Sequence, residues 1–157
     1  MKHNLRKGFT LIEILIVVAI IAILASAALV GLGPVQRNGR DARRISDLRQ
    51  TQNGIELYYS KCGYYPGGAQ SGTDCTGFSS ISGWSSLASA LTGSSLGVSK
   101  VPNDPTSGAT YWYGSTTGVT YVIGARLENA SSPQLKDDID GTVEGVSCDD
   151  PVYCVQL

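Results

Sequence analysis

Apolar residues fill one long stretch near the N-terminus and are sparse elsewhere. From Ile14 to Val30 every position is apolar except Ser26, and between Phe9 and Leu32 the only charge is Glu13. A run of that length reaches the ~20 residues a helix needs to cross a bilayer. Lys2, Arg6 and Lys7, with His3 among them, precede it. Basic residues on that side stay cytoplasmic, so the rest of the chain is expected outside the cytoplasm. Gly31, Gly33 and Pro34 then interrupt the run. Proline removes a backbone hydrogen bond and bends a helix, so a bend or local melting is expected there, short of a true end.

Beyond Pro34 the pattern becomes amphipathic. Ile45, Leu48, Gln52, Ile55, Tyr59 and Cys62 recur at steps of three and four, the mark of a helix with one inward face. Arg37, Arg40, Arg43, Arg44 and Arg49, partly balanced by Asp41, Asp47 and Glu56, read as its solvated face. Lipid phosphates or acidic patches on neighbouring subunits are the other uses such arginines have. Gly63 and Pro66 mark the end of the helix. From Phe9 to Cys62 it is expected to run about 80 Å at 1.5 Å per residue. Its first half has no core of its own and needs a membrane or other copies of itself.

The remainder is rich in Gly and Ser between Gly67 and Lys100, where Trp84, Leu87, Ala88 and Leu91 have the spacing of one short helix. Val101 to Pro105 is a turn-rich stretch. Thr110 to Tyr113 and Val119 to Ala125 read as a hairpin, with a third strand within Thr142 to Val146 and a short fourth from Val152 to Val155. The fold class is therefore α+β: a long N-terminal helix packed on a small antiparallel sheet. The expected spans are 1–8 (leader), 9–33 (apolar helix), 34–62 (amphipathic continuation) and 63–157 (globular head).

Charge and cysteines narrow the function. The 157-residue chain has a formal charge of −1. Without residues 1–8, Lys+Arg falls from 12 to 9 against 13 Asp+Glu, a formal charge of −4, which opposes nucleic-acid affinity. Cys62, Cys75, Cys148 and Cys154 include no C-x-x-C pair, and His3 is the one histidine, so a Cys/His zinc site is not indicated. Four cysteines in an exported chain read as disulfides. Three pairings are possible; Cys62 with Cys75 and Cys148 with Cys154 close the short loops, and free buried thiols are the alternative. Without residues 1–8 the chain has no histidine, the commonest general base, and no nucleophile or phosphate-loop motif appears, so an enzyme is not indicated.

Three readings of the apolar run compete: a plain anchor, a secretory signal cut at Ala25-Ser26-Ala27, and a third that depends on Glu13. A carboxylate near the start of a spanning helix is costly, and it calls for a named partner. The stretch Lys7-Gly8-Phe9-Thr10-Leu11-Ile12-Glu13 resembles the processing site of type IV prepilins and type II secretion pseudopilins. Basic leader, Gly-Phe junction, glutamate and apolar run all occur in register. The resemblance implies cleavage after Gly8 by a membrane prepilin peptidase, N-methylation of Phe9, and Glu13 as the fifth residue of the mature chain. Cleavage creates an α-amino group with an ordinary pKa of ~8. That cation can pair with Glu13 of a neighbouring copy as a filament grows, and two buried charges are tolerated when paired.

The resemblance further implies a homo-oligomeric filament, in a pilus or a secretion pseudopilus, built by an inner-membrane assembly platform and its ATPase. The subunit would begin as a single-pass inner-membrane protein with its head outside the cytoplasm. It would then join a periplasmic or cell-surface filament. A minor or competence pilin acting at a tip or on DNA, and a conventionally secreted soluble domain, are the alternatives. Val101 to Pro105 followed by Tyr111-Trp112-Tyr113 is similar to the region before the sheet in major pseudopilins, which carry a calcium loop. The corresponding candidate here is Asp137-Asp138-Ile139-Asp140-Gly141, with Asp138 and Asp140 as oxygen ligands. The spacing is too short for an EF-hand, and a surface turn is the other reading. No other cofactor is implied.

Overall fold

The computed structural model describes residues 8–67, 75, 81 and 83–157, with the side chains of 27–31 left aside. The basic leader residues Lys2, His3, Arg6 and Lys7 lie outside the described residues. The chain forms two compact units, Met1–Gln36 and Arg37–Leu157.

In the first unit, helix α1 begins at Leu11, and its assignment continues unbroken to Cys62. Pro34 lies inside it, so the expected local melting at Gly31 to Pro34 does not occur. Apart from Ser26, which back-bonds to the Ile23 carbonyl at 2.8 Å, and Gln36 at the end of the unit, the described side chains after Glu13 are apolar and exposed. None of the described residues of the unit covers them. Among the described residues no helix is long and apolar enough to cross a membrane. The sequence run Phe9 to Leu32 includes residues 27–31, which that statement does not cover.

In the second unit, α1 continues to Cys62 and stops where Gly63 turns to φ 76°, its N–H still bonded to the Tyr59 carbonyl at 2.7 Å. A left-handed residue at this point is most easily glycine. The inward face of α1 holds Asp41, Arg44, Asp47, Leu48, Thr51, Ile55 and Tyr58. That stripe is turned from the expected one. Leu48 and Ile55 are shared, but Gln52 is only half-buried and Tyr59 is 42% exposed, while Tyr58 is fully buried. The hydrophobic pattern misplaced the face because its N-terminal end is polar and paired, so the apolar residues alone do not outline it.

Helix α2, Trp84–Gly93, buries Trp84, Leu87, Ala90 and Leu91. It comes close to α1 at Gly54, where an added Cβ would meet Leu91 Cδ1 at 3.4 Å. The main sheet has three antiparallel strands in the order β1 (Trp112–Gly114), β2 (Val122–Arg126), β5 (Val152–Gln156). Strand residues alternate between two faces. Tyr113, Tyr121, Ile123 and Ala125, with Tyr111 just before β1, share the main core with Leu48, Ile55 and Tyr58 of α1 and with α2. Val122 and Cys154 face a second, smaller cluster with Val146 and Cys148.

The segment Thr142 to Val146 is not a strand of that sheet. It makes its own hairpin, β3 (Thr142–Val143) with β4 (Val146–Ser147), through a two-residue turn. Glu144 at φ 49° and Gly145 at φ 80° give both turn residues the positive φ of the tight hairpin turns that match strand twist. This hairpin packs onto β1 at Gly114, where a Cβ would collide with the Glu144 carbonyl oxygen. The place next to β2 is taken by β5, so the central strand is covered on both sides. Disulfides join Cys62 to Cys75 and Cys148 to Cys154, the two pairs that close short loops.

Candidate functional site

At the N-terminal junction, Gly8 and Phe9 precede α1 with no regular structure, and Phe9 is 84% exposed. A peptide bond outside a helix is open to a protease, which needs extended backbone. Three residues after Thr10, Glu13 turns back on it. The Thr10 N–H and hydroxyl both donate to Glu13 Oε2, at 2.8 and 2.6 Å, and the Glu13 N–H donates to Thr10 Oγ1 at 3.4 Å. This is a reciprocal capping box, which satisfies donors that the first turn of a helix leaves unpaired. The carboxylate thus has a partner within its own chain. The signal, Thr-x-x-Glu ahead of an apolar run, was present in the sequence as Thr10 and Glu13, and the reading in terms of membrane charge passed over it.

On the head, the arginines divide into two kinds. Arg44 is not on a solvated face. Its side chain is 3% exposed and pairs with Asp41 at 2.7 Å, Asp104 at 2.8 Å and Glu128 at 2.9 Å, and it donates to Thr106 Oγ1 at 2.8 Å. Asp41 also accepts the backbone N–H groups of Glu128 and Asn129, at 2.9 and 3.0 Å. One guanidinium therefore ties α1 to the turn before β1 and to the loop after β2. Five donors in a planar fork suit a site with several carboxylates. Burial pushes the Asp104 carboxyl up, but the hydrogen bonds from Arg44 and Thr106 outweigh it and leave the pKa lowered. The hydrogen bond from Arg40, helped by Arg44, brings Glu128 down to about 2. Asp104 and Glu128 are 60 and 84 residues from Arg44 in sequence, so helical periodicity gives no sign of them. Arg37, Arg43 and Arg49 are exposed, as expected.

One carboxylate oxygen from each of Asp138, Asp140 and Asp150 lies within 4.8 Å of the others. Asp138 Oδ2 accepts the Cys154 N–H at 2.8 Å, and its Oδ1 is buried without a hydrogen-bond partner among the described residues. Burial, then the charges of Asp140 and Asp150, raise the Asp138 pKa. A hard cation, which takes oxygen ligands, would relieve both the orphaned oxygen and the crowding, and three carboxylates supply part of such a ligand set. Asp150 joins the set through the loop closed by Cys148 and Cys154, which is why a reading of consecutive residues found only Asp138 and Asp140.

The family model described as the prokaryotic N-terminal methylation motif matches residues 3–29. The chain carries the type IV pilin and pseudopilin signature. The methylation motif implies prepilin-peptidase processing, filament assembly, and a membrane-anchored state followed by a pilus location. Proteins with this motif are structural subunits. Searches of curated proteins and of solved structures return no match.

Proposed function

We propose that the chain is a subunit of a type IV pilus or a type II secretion pseudopilus. It is cut between Gly8 and Phe9, N-methylated on Phe9, and polymerised through α1. The observation that carries this reading is Glu13 in register within the methylation motif, at the start of a long apolar helix. In the free subunit Glu13 is occupied by Thr10. In the filament it accepts the Phe9 amine of a neighbour, and the apolar residues of α1 find cover in other copies. Mass spectrometry of the mature protein tests this: a methylated Phe9 terminus is expected, and a terminus after Ala27 would end the proposal.

We further propose calcium as a structural ion at Asp138, Asp140 and Asp150. A raised carboxyl pKa means that the folded state prefers the protonated acid. This group therefore contributes most at low pH, and the contribution is lost as pH rises through the folded value. At neutral pH without calcium the cluster is a net cost. Calcium is therefore expected to raise the thermal midpoint of the full chain. Asp138→Asn keeps an oxygen for the Cys154 N–H, so it should be at least as stable as the parent without calcium and should show no calcium response. A calcium response that survives in D138N removes the cluster from the proposal.

A further inference from the structure

The acidic cluster is drawn from two stretches of chain. Asp138 and Asp140 precede β3, and Asp150 lies in the loop between β4 and β5. Two hydrogen bonds hold these stretches together, and both come from the cysteines of one disulfide. The Cys154 N–H donates to Asp138 Oδ2 at 2.8 Å, and the Cys148 N–H donates to the Gly141 carbonyl at 2.7 Å. The bond between their sulfurs closes the loop that carries Asp150. Cys154 is also held within β5, opposite Gly124 of β2. Cys148 follows β4, a strand of two residues whose partner β3 is equally short. Elsewhere the loop is tied by single hydrogen bonds, from the Leu127 N–H to the Pro151 carbonyl at 2.9 Å and from Ser147 Oγ to Asp149 Oδ2 at 3.1 Å. Each is modest in net strength, so the disulfide is the firm tie at the weaker end of the loop.

Three carboxylates brought this close repel one another. A loop without its tie relieves the repulsion by carrying Asp150 away, and a cation then meets carboxylates from one stretch alone. Closing the loop removes those open conformations before any ion arrives, so less ordering is left for the ion to impose. Both sulfurs are buried in the small cluster with Val122 and Val146. An oxidant must therefore reach them before that cluster closes, and the bridge is set as the head folds. The other disulfide, Cys62–Cys75, belongs to the main core, a different cluster of buried residues.

We propose that the Cys148–Cys154 disulfide prepares the acidic cluster for its cation: the oxidised head takes up calcium tightly, and the dithiol form does so weakly. A thiol–disulfide oxidant outside the cytoplasm is thus a partner of this chain, and it acts before the ion. In that step the two thiols lose two protons and two electrons. The S–S bond forms through a mixed disulfide, while the oxidant's own disulfide becomes a dithiol. The inference rests on the calcium reading and on the exported head in the proposed function. Loss of a group that orients a metal ligand costs about 10–100-fold in affinity. Coupling is reciprocal, so calcium must favour the disulfide over the dithiol by the same factor.

The test uses the mature full-length chain in detergent, equilibrated with reduced and oxidised dithiothreitol at fixed pH and ionic strength, with calcium chloride or with a chelator. Alkylation and mass spectrometry give the disulfide-to-dithiol ratio of each cysteine pair, and the thermal midpoint reports the ion. Calcium is expected to raise the Cys148–Cys154 ratio by about tenfold or more and to leave the Cys62–Cys75 ratio within about twofold. Asp150 is exposed, so Asp150→Asn should fold, which a cooperative thermal transition in chelator checks. The variant keeps the disulfide and should lose most of the shift. An unchanged Cys148–Cys154 ratio beside a raised thermal midpoint overturns the inference and leaves the calcium reading standing. An equal rise in both pairs also overturns it, because calcium would then act on the whole fold. So does a shift that survives in D150N. Calcium that moves neither the midpoint nor a ratio fails the calcium reading itself, and this inference falls with it.

Discussion

Glu13→Gln is expected to be cleaved normally after Gly8 and to yield at least about tenfold fewer filaments. The variant separates two roles that Glu13→Ala removes together. An amide oxygen still accepts the Thr10 N–H and hydroxyl, so the capping box and the helix start survive. The negative charge does not, and the incoming Phe9 amine then enters an apolar environment without a counter-ion, where an unpaired charge is strongly disfavoured. Electron microscopy of sheared cell-surface material, with mass spectrometry of the unassembled subunit, reads both halves. Normal filaments from E13Q would mean that Glu13 serves only to cap its own helix, and the pairing across subunits would be abandoned. Thr10→Val is the converse control. It removes the hydroxyl of the cap and leaves the charge, so filaments are expected to persist.

Arg44→Met is expected to lower the stability of the head by about 3–5 kcal/mol, the usual result when one partner of a buried ion pair is removed. The loss comes from the carboxylates left behind. Asp41 keeps two backbone donors, and Asp104 keeps the Thr106 N–H at 2.7 Å, but neither keeps a salt bridge among the described residues. For a chain of this size the thermal midpoint should fall by about 6–20 °C. Arg44→Met combined with Asp104→Leu should recover a large part, because the stranded charge goes with its partner. Arg40→Ala, at the exposed edge of the network, should have a much smaller effect. A fall in R44M no larger than in R40A would refute the buried-network account.

The same network sets the acid limit of the head. Asp104 and Glu128 have lowered pKa values in the fold, so their contribution is fully present above the unfolded values of 3.8 and 4.5. It is lost as pH falls from there towards about 2, the folded value of Glu128. Acid unfolding of R44M should therefore show a weaker pH dependence in that window.

Much of the architecture was legible because it depends on local chemistry. The basic residues, the Gly-Phe junction, Glu13 and the apolar run are contiguous, and the methylation motif is matched within them at residues 3–29. Periodicity placed α2 and the β1–β2 hairpin, since steps of three and four or of two follow from backbone geometry. It misjudged the inward face of α1 because Asp41, Arg44 and Asp47 are polar, and a pattern of apolar residues is blind to a buried face made of paired charges. It also put Thr142 to Val146 into the main sheet. A glycine turn folds that segment on itself, and the bare surface of Gly114 receives it.

The sequence by itself determined the motif near the N-terminus: basic residues, the Gly8-Phe9 junction, Glu13 and an apolar run, all within or beside the matched residues 3–29. Those properties belong to neighbours along the chain. Only the tertiary structure decided that Arg44 is a core residue and that Asp150 completes an acidic cluster with Asp138 and Asp140. Each of these joins residues far apart in sequence, and a charge is buried, crowded or free according to what folding brings next to it.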